Sequence, residues 1–285
     1  MAGLKELKNR RKTIISTKKV TSAMKMIATS KLKKSQDNMI KARPYSARIK
    51  SLTHMLIFSD GNYASEFFVK RPGNRTLYIL ISSDKGLCGG FNSNIIKTFK
   101  SLAETSSEEM KIISIGNRIS SFLEKNGFDV YSEYRNAFHQ FNFSLAVRIG
   151  SEIISLYNNN EVDRVVLVYN RFQSAISQIV VKETILPIEL EEHSEDYDTG
   201  PLKFETEPGV DKIFNAIFPR YINFLVWRGL LESYASENAA RMTTMDSATD
   251  NSTDMIDMLT LQINKERQAK ITQEISEIVG GSSAK

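Results

Sequence analysis

Two stretches, one at each end of the chain, hold a single proline each over lengths that no compact core can cover. From Leu4 to about Phe58 the only proline is Pro44, and lysine, alanine, methionine, leucine and serine dominate. These residues favour a helix, and fifty-odd of them would extend roughly 80 Å at 1.5 Å per residue. The apolar stripe is thin: Leu4, Leu7 and Ile14, then Val20, Met24 and Ile27, with Ala23, Ala28 and Ser30 between. A stripe this narrow suits a two-helix seam better than the flank of a globular core. At the other end Met242, Met245, Thr249, Ser252, Ile256, Leu259 and Ile263 alternate steps of three and four, which keeps one seam turned toward a partner helix. That helix is predicted to start near Val210, after the breaker Glu207-Pro208-Gly209, and it carries Pro219 early in its course.

Between the helices the pattern changes. Thr76–Ser82 is a continuous apolar, partly β-branched run, as a buried parallel strand requires. The turn Lys85-Gly86-Leu87-Cys88-Gly89-Gly90 follows it and leads into a helix from about Asn92. Lys111–Ile115 reads as a second strand, followed by a helix over 117–125 that stops at Gly127. A helix over 143–157, a strand at Arg164–Tyr169 and an alternating edge strand at Ala175–Leu186 complete the set. Strands alternating with helices predict a small α/β domain with crossover connections. The acidic stretch 189–208, with Pro201 and Pro208, reads as an exposed loop.

Charge is distributed unevenly. The net charge is +5 over 285 residues, yet residues 1–50 hold fifteen Lys and Arg against Glu6 and Asp37, so that segment carries +13 and the remainder −8. Such separation points to an acidic partner, a membrane surface or nucleic acid. Nucleic acid is the weaker reading, because Tyr45 is the only aromatic residue among the first fifty and no stacking platform is present. No apolar run approaches the roughly 20 residues that span a bilayer, and the start lacks a secretory layout. A single cysteine, Cys88, excludes an internal disulfide.

The candidate chemical sites are weak. Gly86, Gly89 and Gly90 follow a strand, where backbone amides could cradle a phosphate, but they match neither G-x-x-x-x-G-K-[ST] nor G-x-G-x-x-G. A tight glycine turn is the simpler reading, and a nucleotide-using enzyme with helical arms is the weaker one. His54, His139 and His193 form no pair at metal-ligand spacing. Trp227 and the methionines read as packing groups, with Met24, Met26, Met242 and Met245 offering a deformable surface. No catalytic residue, cofactor or metal ligand is assigned.

Three blocks carry a family resemblance over essentially the whole chain. The first runs from Leu4-Lys5-Glu6-Leu7 through Thr21-Ser22-Ala23-Met24-Lys25-Met26-Ile27-Ala28 to Ser30-Lys31-Leu32. The second is Ser83-Asp84-Lys85-Gly86-Leu87-Cys88-Gly89-Gly90-Phe91-Asn92. The third is Ser236-Glu237-Asn238-Ala239-Ala240-Arg241-Met242 with Met245-Asp246, continued by Arg267-Gln268-Ala269-Lys270-Ile271-Thr272-Gln273-Glu274-Ile275 and Ile278-Val279-Gly280-Gly281. In this order the chain resembles the gamma subunits of F-type ATP synthases, of the bacterial type.

The resemblance implies an α/β fold: a long antiparallel two-helix coiled coil formed by the N- and C-terminal helices, plus a small central Rossmann-like domain. The expected division is a coiled-coil helix over 1–58, a foot domain over 74–190, an exposed loop over 191–208 and a second coiled-coil helix over 209–285. It implies a non-catalytic rotor shaft that couples proton flow through a membrane ring to ATP synthesis or hydrolysis. The partners implied are the alpha and beta subunits, epsilon and the c-ring, without direct membrane insertion. By position, Met24, Lys25, Arg241, Met242, Gln268, Thr272 and Glu274 are expected to contact beta, and Lys85, Cys88 and Gly89 to form a loop contact on the lower side of the ring. Lys270 stands where the family usually has a small residue and Lys85 where arginine is commoner, which alters contact strength at both. Because the first block begins at residue 4, the resemblance favours a bacterial source and a peripheral place on the cytoplasmic face of the cell membrane.

Overall fold

The computed structural model describes residues 2–59, 67–106, 108–139, 141–188 and 210–282. The loop expected at 191–208 lies outside the described residues. Two long helices, α1 (Ala2–Ser59) and α5 (Val210–Ser282), enclose β1 (Arg75–Ile81), α2 (Phe91–Thr105), β2 (Glu109–Ile115), α3 (Asn117–Lys125), β3 (Ser132–Tyr134), α4 (Phe143–Asn158), β4 (Arg164–Phe172) and β5 (Gln178–Leu186). Pro44 and Pro219 both lie inside their helices without ending them. The chain divides within these two helices, into Met1–Thr29 with Arg241–Lys285 as one compact unit and Ser30–Ala240 as the other. That division differs from one drawn at element ends, because each long helix contributes residues to both units.

The first unit is a pair of helical segments. Thr21 Oγ1 lies 2.8 Å from Thr249 Oγ1, and Lys25 Nζ lies 2.5 Å from Asp246 Oδ1. As the position on α1 rises, its partner on α5 falls, so the segments run antiparallel. On α5, Met245, Ser252, Leu259 and Ile263 are buried and Met242, Thr249 and Ile256 half-buried, which is the seam read from the sequence.

On α1 the seam differs from the one expected. Val20 and Ile27 are 58% and 57% exposed, whereas Thr21 and Ala28 are buried. Continuing the three-four alternation from Leu4, Leu7, Arg11 and Ile14 leads through Lys18 to Thr21, Lys25 and Ala28, none of them exposed. Val20 and Ile27 each sit one position off that line, about 100° around the helix. The apolar stripe therefore misled where the seam is lined by small and polar side chains. Hydroxyls are tolerated there because they bond back to their own helix: Thr249 Oγ1 donates to the Met245 carbonyl at 2.7 Å and Ser252 Oγ to that of Ala248 at 2.6 Å.

The second unit is a three-layer α/β/α domain. Its sheet has the order β3-β2-β1-β4-β5, parallel except for the antiparallel edge strand β5. Odd positions of β1, Leu77, Ile79 and Ile81, face a core with Leu145, Ile149 and Ile153 of α4 and Phe218, Ile222, Val226 and Leu230 of α5. Even positions, Tyr78 and Leu80, face Ile95 and Phe99 of α2 and Ile119 and Leu123 of α3. Burial on both faces explains the unbroken apolar run of β1. At Gly229 the helix approaches the sheet so closely that a Cβ would lie 2.4 Å from Leu167 Cδ2. Trp227 stacks on Phe141, with ring centroids 4.9 Å apart, so it is a packing group. Within the same unit Tyr45 of α1 meets Phe224 of α5 at 5.7 Å between centroids.

Candidate partner-contact surfaces

The glycine-rich segment after β1 is a surface turn held both by bonds of its own and by bonds to the loops beside it. Ser83 N donates to Asn92 Oδ1 at 3.0 Å, while Ser83 Oγ donates to the Lys85 carbonyl at 2.6 Å and accepts from Asn92 Nδ2 at 2.8 Å. The Asp84 carboxylate accepts from Phe138 N at 2.9 Å and from Asn117 N at 3.3 Å, tying the turn to the loops that follow β2 and β3. Leu87 and Gly89 have positive φ, 61° and 54°. Glycine meets that demand at 89 without strain, whereas Leu87 is held there with its side chain 62% exposed. Beneath them Gly116, at φ 94°, passes so near β1 that a Cβ would lie 2.3 Å from the Ser82 carbonyl oxygen.

In an open parallel sheet, ligands bind outside the carboxyl ends of the strands, where the connections reverse direction. Here that place falls between β1 and β4, and this chain's own atoms fill it. Cys88 is buried against Phe91 and Ala240 of α5. Asn170 of β4 donates from Nδ2 to the Phe91 carbonyl at 3.4 Å, and Ser236 of α5 donates to the Asn170 carbonyl at 3.0 Å. Lys85 and Gly89 remain on the surface of the turn. The Cys88 thiol faces inward, accepting from Asn92 Nδ2 at 3.2 Å, so any contact made by this turn runs through its neighbours and its backbone.

The other expected contact residues belong to the first unit and fall into two groups. Met24, Lys25, Arg241 and Met242 are half-buried at one level, where Lys25 is held by Asp246. Asp246 stands in the third sequence block, but composition and spacing assigned it no role; an acid opposite a seam lysine becomes visible only once the register is known. Gln268, Thr272 and Glu274 lie about 33 Å further along α5, taking 1.5 Å per residue from Asp246 to Gln268. All three are exposed. Thr272 Oγ1 donates to the Gln268 carbonyl at 3.0 Å, and Glu274 lies 3.7 Å from Lys270. The register of the two pairs puts Ala2 opposite Gln268, so α5 runs on past the start of α1. Over that last stretch Ile271, Ile275, Ile278 and Val279 are all exposed. Four exposed branched apolar residues at helical spacing make an apolar face of the kind that marks an interaction site.

No group of three His, Cys, Asp or Glu among the described residues is placed to hold a metal ion. Also among the described residues, no helix is long and apolar enough to cross a membrane. The polar cleft bounded by Tyr134, Arg135, Asn136, His139 and Arg148 contains none of the expected residues. Its Arg135 is already held by Glu133 at 2.7 Å and Glu124 at 2.9 Å.

A family model described as ATP synthase matches residues 3–284. ATP synthase gamma chains of Pelotomaculum thermopropionicum and Halothermothrix orenii are 38% and 40% identical, each match covering 100% of this chain and 99% of the relative. Among solved structures, a chain from the central stalk and c-ring of the Tetrahymena thermophila mitochondrial ATP synthase is 28% identical, with a TM-score of 0.62 over 80% of this chain and 99% of that one. A chain of the Euglena gracilis mitochondrial enzyme, at 21% identity, shares the fold with a TM-score of 0.68, covering 99% of this chain and 95% of its own. With paired terminal helices, a central α/β domain and matches along its whole length, the chain belongs to the ATP synthase gamma-chain family.

Proposed function

We propose that this stalk subunit, itself non-catalytic, is the central shaft of a rotary ATP synthase. Its helix pair turns within a ring of alpha and beta subunits, and its α/β domain rests with epsilon on the membrane c-ring. Proton flow and ATP synthesis or hydrolysis are coupled through it. The observation that carries this reading is the antiparallel pairing of the two ends, locked at Thr21–Thr249 and Lys25–Asp246, with the far end of α5 left as a single helix bearing exposed isoleucines. A slender rod that exposes apolar groups at its tip fits a protein collar. The 28% identical Tetrahymena chain is itself part of a central stalk.

Met24, Lys25, Arg241 and Met242 form one level of contact with beta, and Gln268, Thr272 and Glu274 a second. Lys85 and Gly89, shaped by buried Cys88, form the loop contact. An asymmetric rod touches three beta subunits differently, and moving a two-state site from 1:99 to 99:1 takes about 5.5 kcal/mol of differential contact. The complex sits on the cytoplasmic face of a bacterial inner membrane, with this chain as a peripheral component. The full-length identity to the chains of Pelotomaculum and Halothermothrix supports that place.

Reconstitution with alpha and beta subunits tests the reading: sustained, coupled ATP hydrolysis is expected only when this chain is present. Met24→Lys adds a second cation beside Lys25 and competes for Asp246. The complex is expected to assemble and hydrolyse ATP while pumping severalfold fewer protons per ATP. Pumping at the wild-type ratio would remove Met24 from the bearing surface.

A further inference from the structure

The connection between β3 and α4 is held from two sides. On one side it meets the residue that precedes the 85–89 turn: Asp84 Oδ2 accepts from Phe138 N at 2.9 Å, and Asp84 Oδ1 accepts from Asn117 N at 3.3 Å. Asn117 and Asn136 then bond reciprocally, Asn136 N to Asn117 Oδ1 and Asn117 Nδ2 to Asn136 Oδ1, both at 3.0 Å. One carboxylate therefore gathers two loops, and an ionised acceptor makes stronger bonds to backbone N–H than a neutral one. On the other side the same connection lies on α5. The Phe138 ring stacks on Tyr234, 6° from parallel with centroids 5.4 Å apart, and Phe141 packs against Tyr234 at 4.8 Å and Trp227 at 4.9 Å.

Trp227 and Tyr234 lie on one face of α5, which is not the face turned to the sheet. Gly229 and Ser236 meet the sheet, at Leu167 and at the Asn170 carbonyl, and Trp227 and Tyr234 stand roughly 150° around the helix from Gly229. α5 is thus gripped between the sheet and an aromatic strap, and the far end of the strap is hooked to Asp84. We propose that Asp84 is a positioning residue: by hooking Phe138 it makes the β3–α4 connection a strap through which a load on the 85–89 turn passes to α5. This path runs beside the one through the plug of Cys88, Phe91 and Ala240, and reaches α5 on a different face. The proposal rests on the reading of the 85–89 turn as a partner contact, and it adds the route by which a force applied there leaves the turn. Asp84 itself touches no partner in this scheme; it acts through Phe138.

Asp84→Asn keeps the shape of the side chain but turns one acceptor into a donor that faces a backbone N–H. In the full isolated chain it is expected to speed amide exchange at Phe138 or Asn117 severalfold while β1, β2 and β4 keep their protection. In the whole complex in its membrane it is expected to lower the protons pumped per ATP hydrolysed severalfold. Phe138→Leu removes the stacked ring and keeps the N–H. It is expected to lower the same ratio, and the double variant to do no worse than the more affected single, because both cut one path. Unchanged exchange at both amides in Asp84→Asn overturns the hook. Faster exchange with a wild-type pumping ratio, or losses that add in the double variant, overturns the strap as a load path and leaves the shaft reading intact. Should Asp84→Asn not assemble, Phe138→Leu decides alone: a lowered ratio supports the strap and a wild-type ratio overturns it. Coupled hydrolysis that persists without this chain overturns the shaft reading, and the proposal with it.

Discussion

Asp163 shows how a single side chain holds the start of the sheet. Its carboxylate accepts from Arg75 at the backbone N, Nε and a terminal guanidinium nitrogen, at 3.1, 2.9 and 2.8 Å. The hydrogen bond from the Arg75 side chain holds the Asp163 carboxyl below its ordinary range, partly opposed by burial. A carboxylate with a depressed folded-state pKa contributes stability that is fully present above its unfolded value, near 3.9, and lost as pH falls through the folded value. Asp163→Asn is therefore expected to lower stability to urea by a constant amount near neutral pH, and the gap from wild type should close progressively below about pH 4. A gap that persists undiminished into strong acid would mean that the carboxylate charge is not what matters. At this scale the sequence is poorly legible: nothing in it pairs Asp163 with Arg75, since the contact exists only after β1 and β4 align.

Elements were more legible than residues, and the failures have physical causes. β1, α3, α4 and the start of α5 stand where apolar runs and breakers put them, because burial on two faces or on one stripe writes itself into composition. β3, three residues from Ser132 to Tyr134, leaves no such mark. β5 begins at Gln178 and not at Ala175, because the small and polar residues before it build the hairpin turn. That misreading hid Ile176 inside an expected strand. On α1 the seam passes through Thr21 and Ala28, where hydropathy pointed to Val20 and Ile27. Enlarging a buried small residue in a close seam forces the helices apart, so Ala28→Leu is expected to cost about 1–3 kcal/mol, whereas Ile27→Ala, on the exposed side, should change stability by less than about 0.5 kcal/mol. Denaturant melts of the two variants check this; equal losses would return Ile27 to the seam.

Considered whole, the molecule is built from two unequal kinds of order. The unit of Ser30–Ala240 has cores on both faces of its sheet, whereas in that of Met1–Thr29 with Arg241–Lys285 the buried side chains among the described residues are only those along one seam, Thr21 and Ala28 on α1 and Met245, Ser252, Leu259 and Ile263 on α5. Local opening free energy follows the apolar contact behind each hydrogen bond. Hydrogen exchange of the isolated chain should thus be fastest at 269–282, intermediate over 2–29 and 241–263, and slowest in β1, β2 and β4. Protection of the helix pair equal to that of the strands would contradict this ranking. The sequence disclosed the long helices and the α/β domain but not a division inside the helices, which depends on what packs beside each turn. The plug formed by Cys88, Phe91 and Ala240 has its own consequence. Where an open sheet of this type leaves a crevice at the carboxyl ends of its strands, native side chains stopper it here, so that end of the domain meets its surroundings as a closed, shaped face built to be pushed.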